Sequence, residues 1–188
     1  MAQVNIAAGP HKSASAFGSL LPLYVVIFFG FVGYSLMITI FTPIFLTPGS
    51  AMLPSGVTSS HSKIILGIVL GLYPAGQFIG SPVLGALSDR YGRRPVLLIS
   101  LTITTICYAV IAASLEALSL ATLCASLFVA GVSEANIVTA QSAIADVVAA
   151  DDRNRFFGYI YMCVSLAYIV GPLAGGKLAE PSVVSWFN

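Results

Sequence analysis

Five long apolar stretches, parted by short polar ones, set the rhythm of this chain. The first runs over roughly residues 20–46, LLPLYVVIFFGFVGYSLMITIFTPIFL. The others cover roughly 64–88, 95–114, 117–148 and 155–178. A helix needs about 20 mostly apolar residues to cross a bilayer, and each stretch meets that length. The first is too long for the apolar core of a signal peptide, and no small-residue cleavage site follows it closely. The pattern therefore predicts an all-α membrane protein with five transmembrane helices.

The polar interruptions orient the helices. Cytoplasmic loops carry an excess of Lys and Arg. With the N-terminus inside, the inner segments hold Lys12, then Arg90, Arg93 and Arg94, then Arg153 and Arg155, whereas the outer ones hold Lys63 and Lys177. A cytoplasmic N-terminus follows. Residues 1–19 then form a cytoplasmic segment, 20–178 the membrane domain, and 179–188 an outer loop in front of an expected sixth helix, as in a piece of a longer protein. Residues 47–63, rich in Ser, Thr, Gly and Pro, read as an exposed outer linker.

Composition narrows the class further. Apolar residues make up 57% of the 188 and charged residues 8%, with a mean hydropathy of +0.95. A soluble domain carries about 25% charged residues, so most of this surface faces lipid. A net charge of +1 excludes a strongly basic nucleic-acid binder. Cys107, Cys124 and Cys163 each lie inside an apolar run and read as small buried side chains. No metal-ligand cluster, phosphate loop, dinucleotide fingerprint or nucleophile triad occurs. Neither an enzyme, a metal nor a cofactor is expected, and His11 and His61 lie outside the spans.

One loop asks for more than topology. GALSDRYGRRPVLL, residues 85–98, follows an uncharged span and packs Asp89, Arg90, Arg93 and Arg94 into one turn. Positive residues hold a loop inside, but a carboxylate at the membrane edge is costly. Gly85 lets a neighbouring helix approach closely, Gly92 permits a turn with positive φ, and Pro95 suits the start of a helix. The stretch resembles the signature loop of the major facilitator superfamily, with Gly85, Leu87, Asp89, Arg90, Gly92 and Arg93 matching and Arg94 in place of the usual Lys. The upstream GLYPAGQFIGSP is similar to the second helix of twelve-helix drug:proton antiporters. The resemblance extends over nearly the whole chain from about residue 20, and it implies five of the six helices of a transporter's N-terminal half.

Two further segments carry the same resemblance. SAIADVVAADDRNRFFG contains Asp146, Arg153 and Gly158 at the family's spacing. In the family the acid ending helix four pairs with the loop arginine and the helix-two acid, which implies a gating network of Asp89, Arg93 and Asp146. Partly desolvated charges stabilise one arrangement only while all are paired, which suits a latch on the inner side. GYIYMCVSLAYIVGPLAGG then fits the antiporter motif with Gly158, Gly171, Pro172, Gly175 and Gly176, Ala167 standing where a further glycine is usual. Glycines let helices pack closely and Pro172 bends the helix. The resemblance implies a seam between helix five and the transporter's other half.

Glu134 is the last candidate. It lies twelve residues before Asp146, about 18 Å along a helix, and hence near the midplane. An intramembrane acid is a functional candidate by default: it could exchange a proton, contact a cationic substrate, or serve structure by bonding to Ser133 or Asn136. Leu127, Glu134 and Gln141 recur at seven and share one helix face, in a helix that lines the central cavity in the family. The first helix has no acid, only the polarity of Tyr34, Ser35, Thr39 and Thr42, and Leu127 stands where many antiporters have an arginine. Glu134, Gln141 and Tyr34 are therefore the candidate substrate or proton residues.

The resemblance implies secondary active, proton-coupled export of a small drug-like or amphipathic compound by alternating access, from a bacterial inner membrane. Its expected partners are the lipid bilayer, the substrate, protons and a C-terminal half. A proton-coupled importer or uniporter of a metabolite, or a half-subunit that transports nothing until joined to another membrane chain, are the alternatives.

Overall fold

The computed structural model describes residues 10–47, 49–53, 56, 58–135, 141–142, 144, 148 and 152–178. Five helices follow in order: α1 (Pro10–Leu46), α2 (Ser59–Tyr91), α3 (Arg93–Glu116), α4 (Leu120–Glu134) and α5 (Arg153–Leu178). Among the described residues there is no strand. Four of the helices are long and apolar enough to cross a membrane, while α4 is apolar but shorter, at 15 residues. The expected span at 117–148 thus appears as α4 together with helical residues 141, 142 and 144; 136–140 lie outside the described residues.

The helices persist through Pro22, Pro43, Pro74, Pro82 and Pro172. Membrane helices tolerate such breaks because the polar groups that they free find partners locally. Hydroxyls inside the spans likewise bond back to their own backbone. Thr42 donates to the Ile38 carbonyl at 2.6 Å and Ser81 to that of Gln77 at 2.6 Å. Gly92 ends α2 with φ +91, the positive value expected of it, and its N–H donates to Ser88 O at 3.0 Å. Helix α3 begins at the next residue, with Pro95 in its first turn, where a missing N–H costs nothing. Ser119 caps α4 by accepting from the Thr122 N–H at 3.4 Å.

Helix α1 packs against α5 and α2, α2 against α4 and α3, and α3 against α4. Two apolar clusters result. One joins Met37, Phe41 and Phe45 of α1 to Val69 and Tyr73 of α2, Ile111 of α3 and Leu127 of α4. The other joins Leu20, Tyr24 and Ile27 of α1 to Phe156 and Ile160 of α5. Most described residues of the stretch read as an exposed linker are exposed, but Met52 turns inward into the first cluster, and α2 already begins at Ser59. Large apolar side chains also cover the outside, Phe78 at 83% exposed being the extreme. Such a surface suits lipid, not water.

Candidate transport site

Glu134 sits at the end of α4 with 4% of its surface exposed. Its Oε2 accepts hydrogen bonds from two tyrosine hydroxyls, Tyr73 of α2 and Tyr108 of α3, the latter at 3.0 Å. On the α1 side the carboxylate lies against Gly30, where an added Cβ would stand 2.6 Å from Oε1. Four helices therefore meet at one carboxylate, at the level of α1 between Ile27 of one cluster and Met37 of the other. No Lys or Arg occurs between residues 64 and 89 or between 95 and 152, so the spans bearing Glu134, Tyr73 and Tyr108 contain no cation. The described partners that hold the carboxylate are thus neutral hydroxyls.

Backbone approach creates this meeting. Gly131, three residues before Glu134, lets the Tyr73 carbonyl come so near that any side chain there would collide with it. Gly76 and Gly80 of α2 likewise abut the backbone at Phe128 and Val132 of α4. Small residues at such crossings allow close helix packing in lipid. Gly85 was the residue read as permitting close approach, yet no described atom lies within 4 Å of its Cβ position. The seam with α4 is formed by Gly76 and Gly80, earlier in α2.

One cavity is lined by the acid, and a second by Tyr73, which holds it. The first, of about 240 Å³, runs between α1, α3 and α4, and Glu134, Tyr108 and Thr104 line it with Phe29 and Leu101. Thr104 is 5% exposed, and its hydroxyl has no hydrogen-bond partner among the described residues. The other, also about 240 Å³, lies between α1, α2 and α5, where Tyr34, Tyr73, Gln77 and Tyr168 line it. Tyr34 stacks on Tyr73 with ring centroids 4.9 Å apart and planes at 20°. Tyr73 thus faces this cavity with its ring while its hydroxyl holds Glu134.

The remaining candidates are placed unevenly. Leu127 is buried in the core, and Gln141 is half-buried, with its link to Glu134 outside the described residues. Ser133 donates to Val129 O at 3.0 Å, so the bonds to Glu134 come from other helices. Asp89, Arg90 and Arg94 are exposed at the α2–α3 turn, Arg93 is half-buried, and Arg90 lies 5.4 Å over the Tyr91 ring. Asp146 is outside the described residues. In α5, Gly171 and Gly175 face α1: an added Cβ would stand 2.6 Å from the Ser35 side chain and 3.1 Å from Leu36, respectively. These two glycines serve packing within the domain, whereas Gly158 and Gly176 face open space and Pro172 is exposed.

Sequence reasoning found Glu134 but neither of its donors. Tyr73 and Tyr108 stand 61 and 26 residues away from it in the chain. The available signal was chemical: a buried acid needs donors, and tyrosines in otherwise aliphatic runs are the natural supply.

Comparison with known proteins agrees with this architecture. A family profile, Major Facilitator Superfamily, matches residues 23–187. Tetracycline resistance protein, class C, of Escherichia coli is 45% identical over 117 residues, 62% of this chain and 29% of that protein. The class B protein of Escherichia coli is 39% identical over 121 residues, 64% of this chain and 29% of that protein. Major facilitator superfamily domain-containing protein 10 of Mus musculus is 33% identical over 128 residues, 68% of this chain and 27% of that protein. The chain spans under a third of the length of the curated relatives it matches. Since the profile covers most of its residues, the chain belongs to the major facilitator superfamily.

Proposed function

We propose that the full-length protein is a proton-coupled exporter of small drug-like or amphipathic compounds, and that Glu134 is the proton-exchanging group of this half. The observation that carries the reading is the Glu134 carboxylate itself, shielded from water and held by Tyr73 and Tyr108 beside two cavities. A carboxylate at membrane depth is costly and marks a substrate or proton path. Alternating access then exposes the group to one side and afterwards to the other. The tetracycline resistance proteins among the relatives support a drug-like substrate. The antiporter motif of α5 supports exchange, and Asp89, Arg93 and Asp146 would latch the inner side of a bacterial inner-membrane protein whose C-terminal half completes the cavity.

The test is uptake of tetracycline into inside-out vesicles that hold the full-length protein, with and without an imposed proton gradient. Wild-type uptake should collapse when a protonophore is added. Glu134→Gln is nearly isosteric and permanently neutral. It should insert normally yet lose the gradient-driven component. Gradient-driven uptake that survives this substitution unchanged would return Glu134 to a structural role.

A further inference from the structure

Glu134 uses one of its two oxygens in its bonds to tyrosine. Both hydroxyls donate to Oε2, and among the described residues no donor reaches Oε1. Oε1 lies against Gly30, and both residues line the cavity between α1, α3 and α4. Thr104 lines the same cavity, is 5% exposed, and has a hydroxyl without a partner among the described residues. Buried polar groups are bonded as a rule, and ordered water is a common partner. An acyl chain in the cavity would satisfy neither Thr104 nor Oε1, whereas water would satisfy both. A buried water needs about two to four polar partners and room to sit. Thr104 Oγ1, Glu134 Oε1 and the Tyr108 hydroxyl are available, since a hydroxyl that donates to Oε2 can still accept. The volume of about 240 Å³ is ample for several water molecules.

The cavity also has a direction. Helix α3 starts at Arg93 on the proposed inner side, and Leu101, which lines the cavity, precedes Tyr108 by about 10 Å of helix. Val25 of α1, which precedes Gly30, lines it as well. The acid thus stands at the outer end of a cavity that extends towards the inner face. Ser100, Thr104 and Tyr108 recur at four and share one face of α3. Ser100 is itself buried, and its hydroxyl donates to Leu97 O at 3.0 Å. Hydroxyls at successive turns keep that face polar from the acid inwards.

We propose that the cavity between α1, α3 and α4 is a water site, that a bound water bridges Thr104 Oγ1 to Glu134 Oε1, and that protons leave the acid for the inner side by this route. The proposal rests on the reading of Glu134 as a proton-exchanging group and adds the path that serves it. In the step itself the bridging water takes the proton from Oε1 and passes another of its protons to the water beyond it. The carboxylate is left ionised, and one proton has moved inwards. Thr104 is a positioning residue: its hydroxyl holds the bridging water and carries no net proton.

The experiment is infrared spectroscopy of the full-length protein in nanodiscs at acidic pH, with no gradient. The C=O stretch of the protonated Glu134 carboxyl is the band that Glu134→Gln removes. Thr104→Val keeps the shape but lacks the hydroxyl. It should move this band to higher wavenumber, because the carboxyl loses a water partner. Thr104→Ser keeps the hydroxyl and should leave the band in place. Thr102→Val is the control, on an exposed face where the hydroxyl bonds to Leu98 O at 2.8 Å, and should also leave it. Thermal unfolding gives a second reading by its sign. Thr104→Val should lower the midpoint or keep it if the hydroxyl is bonded to water, and would raise it if the hydroxyl is unsatisfied. In gradient-driven tetracycline uptake, Thr104→Val should reduce the maximal rate by up to about tenfold, the worth of one hydrogen bond, with KM unchanged. A band that stays in place in Thr104→Val, or a raised midpoint, overturns the water site. A shifted band beside a wild-type maximal rate overturns the route. Band and midpoint need no gradient, so they decide on the cavity even where uptake proves independent of Glu134.

Discussion

At the scale of single residues, Gly30 matters for what it lacks. Its missing side chain leaves room for the Glu134 carboxylate, whose Oε1 lies 2.6 Å from where a Cβ would be. In Gly30→Ala the atom that must yield is the end of a flexible side chain, so the fold should survive. The two tyrosine bonds hold that end in place, however, and at least one of them should break. A hydrogen bond to a charged group contributes about 1.5–3 kcal/mol, and a neutral one about 1 kcal/mol, so the unfolding free energy should fall by roughly that amount, read as a lower thermal or denaturant midpoint. Gly30→Ala and Glu134→Gln should also be strongly non-additive, since both act on the same carboxylate. Additive losses would mean that Gly30 packs against something other than this acid. Glu134 was legible in the sequence because an acid in a span stands out. Its hydroxyl donors were not, because tyrosine is unremarkable in a span and the pairing depends on which helices touch.

The crossing of α2 and α4 is the element that sets the site. Gly76, Gly80 and Gly131 bring backbone against backbone, and this contact delivers Tyr73 to Glu134. No rotamer change can relieve a methyl added there. Gly131→Ala should therefore push the helices apart and destabilise the protein by about 1–3 kcal/mol, the range for overpacking. Gly67→Ala, on an open face of α2, should be neutral or slightly stabilising, because alanine favours helix over glycine by up to about 1 kcal/mol. Thermal unfolding of both variants in detergent checks this, and equal effects would show that the seam is not the sensitive contact. Hydropathy located the spans, since length and apolarity suffice for that. It could not say which glycines form the seam with α4, which Gly76 and Gly80 do. Nor could a polar composition reveal that Met52 turns inward.

For the whole molecule, the pairing of α1 with α5 and of α2 with α4 makes one domain with a glycine seam in each pair, Gly171 and Gly175 in the first and Gly131 with Gly76 in the second. The loop signature and the charge asymmetry made the family and the proposed orientation legible, because both are local in sequence. The proposed latch is not local, and Asp146 lies outside the described residues. Asp89 is exposed and Arg93 half-buried on either side of the Gly92 turn. At such a wet edge a pair is worth less than the about 3–5 kcal/mol lost when one partner of a buried pair is removed. The proposed latch would therefore work by cooperation among its charges. In the full-length protein, Asp89→Asn, Arg93→Ala and Asp146→Asn should each raise the labelling of inner-side cysteines by an impermeant thiol reagent, because each loosens inner closure. Once one charge is gone the others have little left to lose, so any two substitutions together should shift labelling hardly more than one. The coupling should fall within about 0.5–3 kcal/mol, the range for residues in one network. Strictly additive shifts, or labelling equal to wild type, would leave these charges with the single task of holding the loop on its side of the membrane.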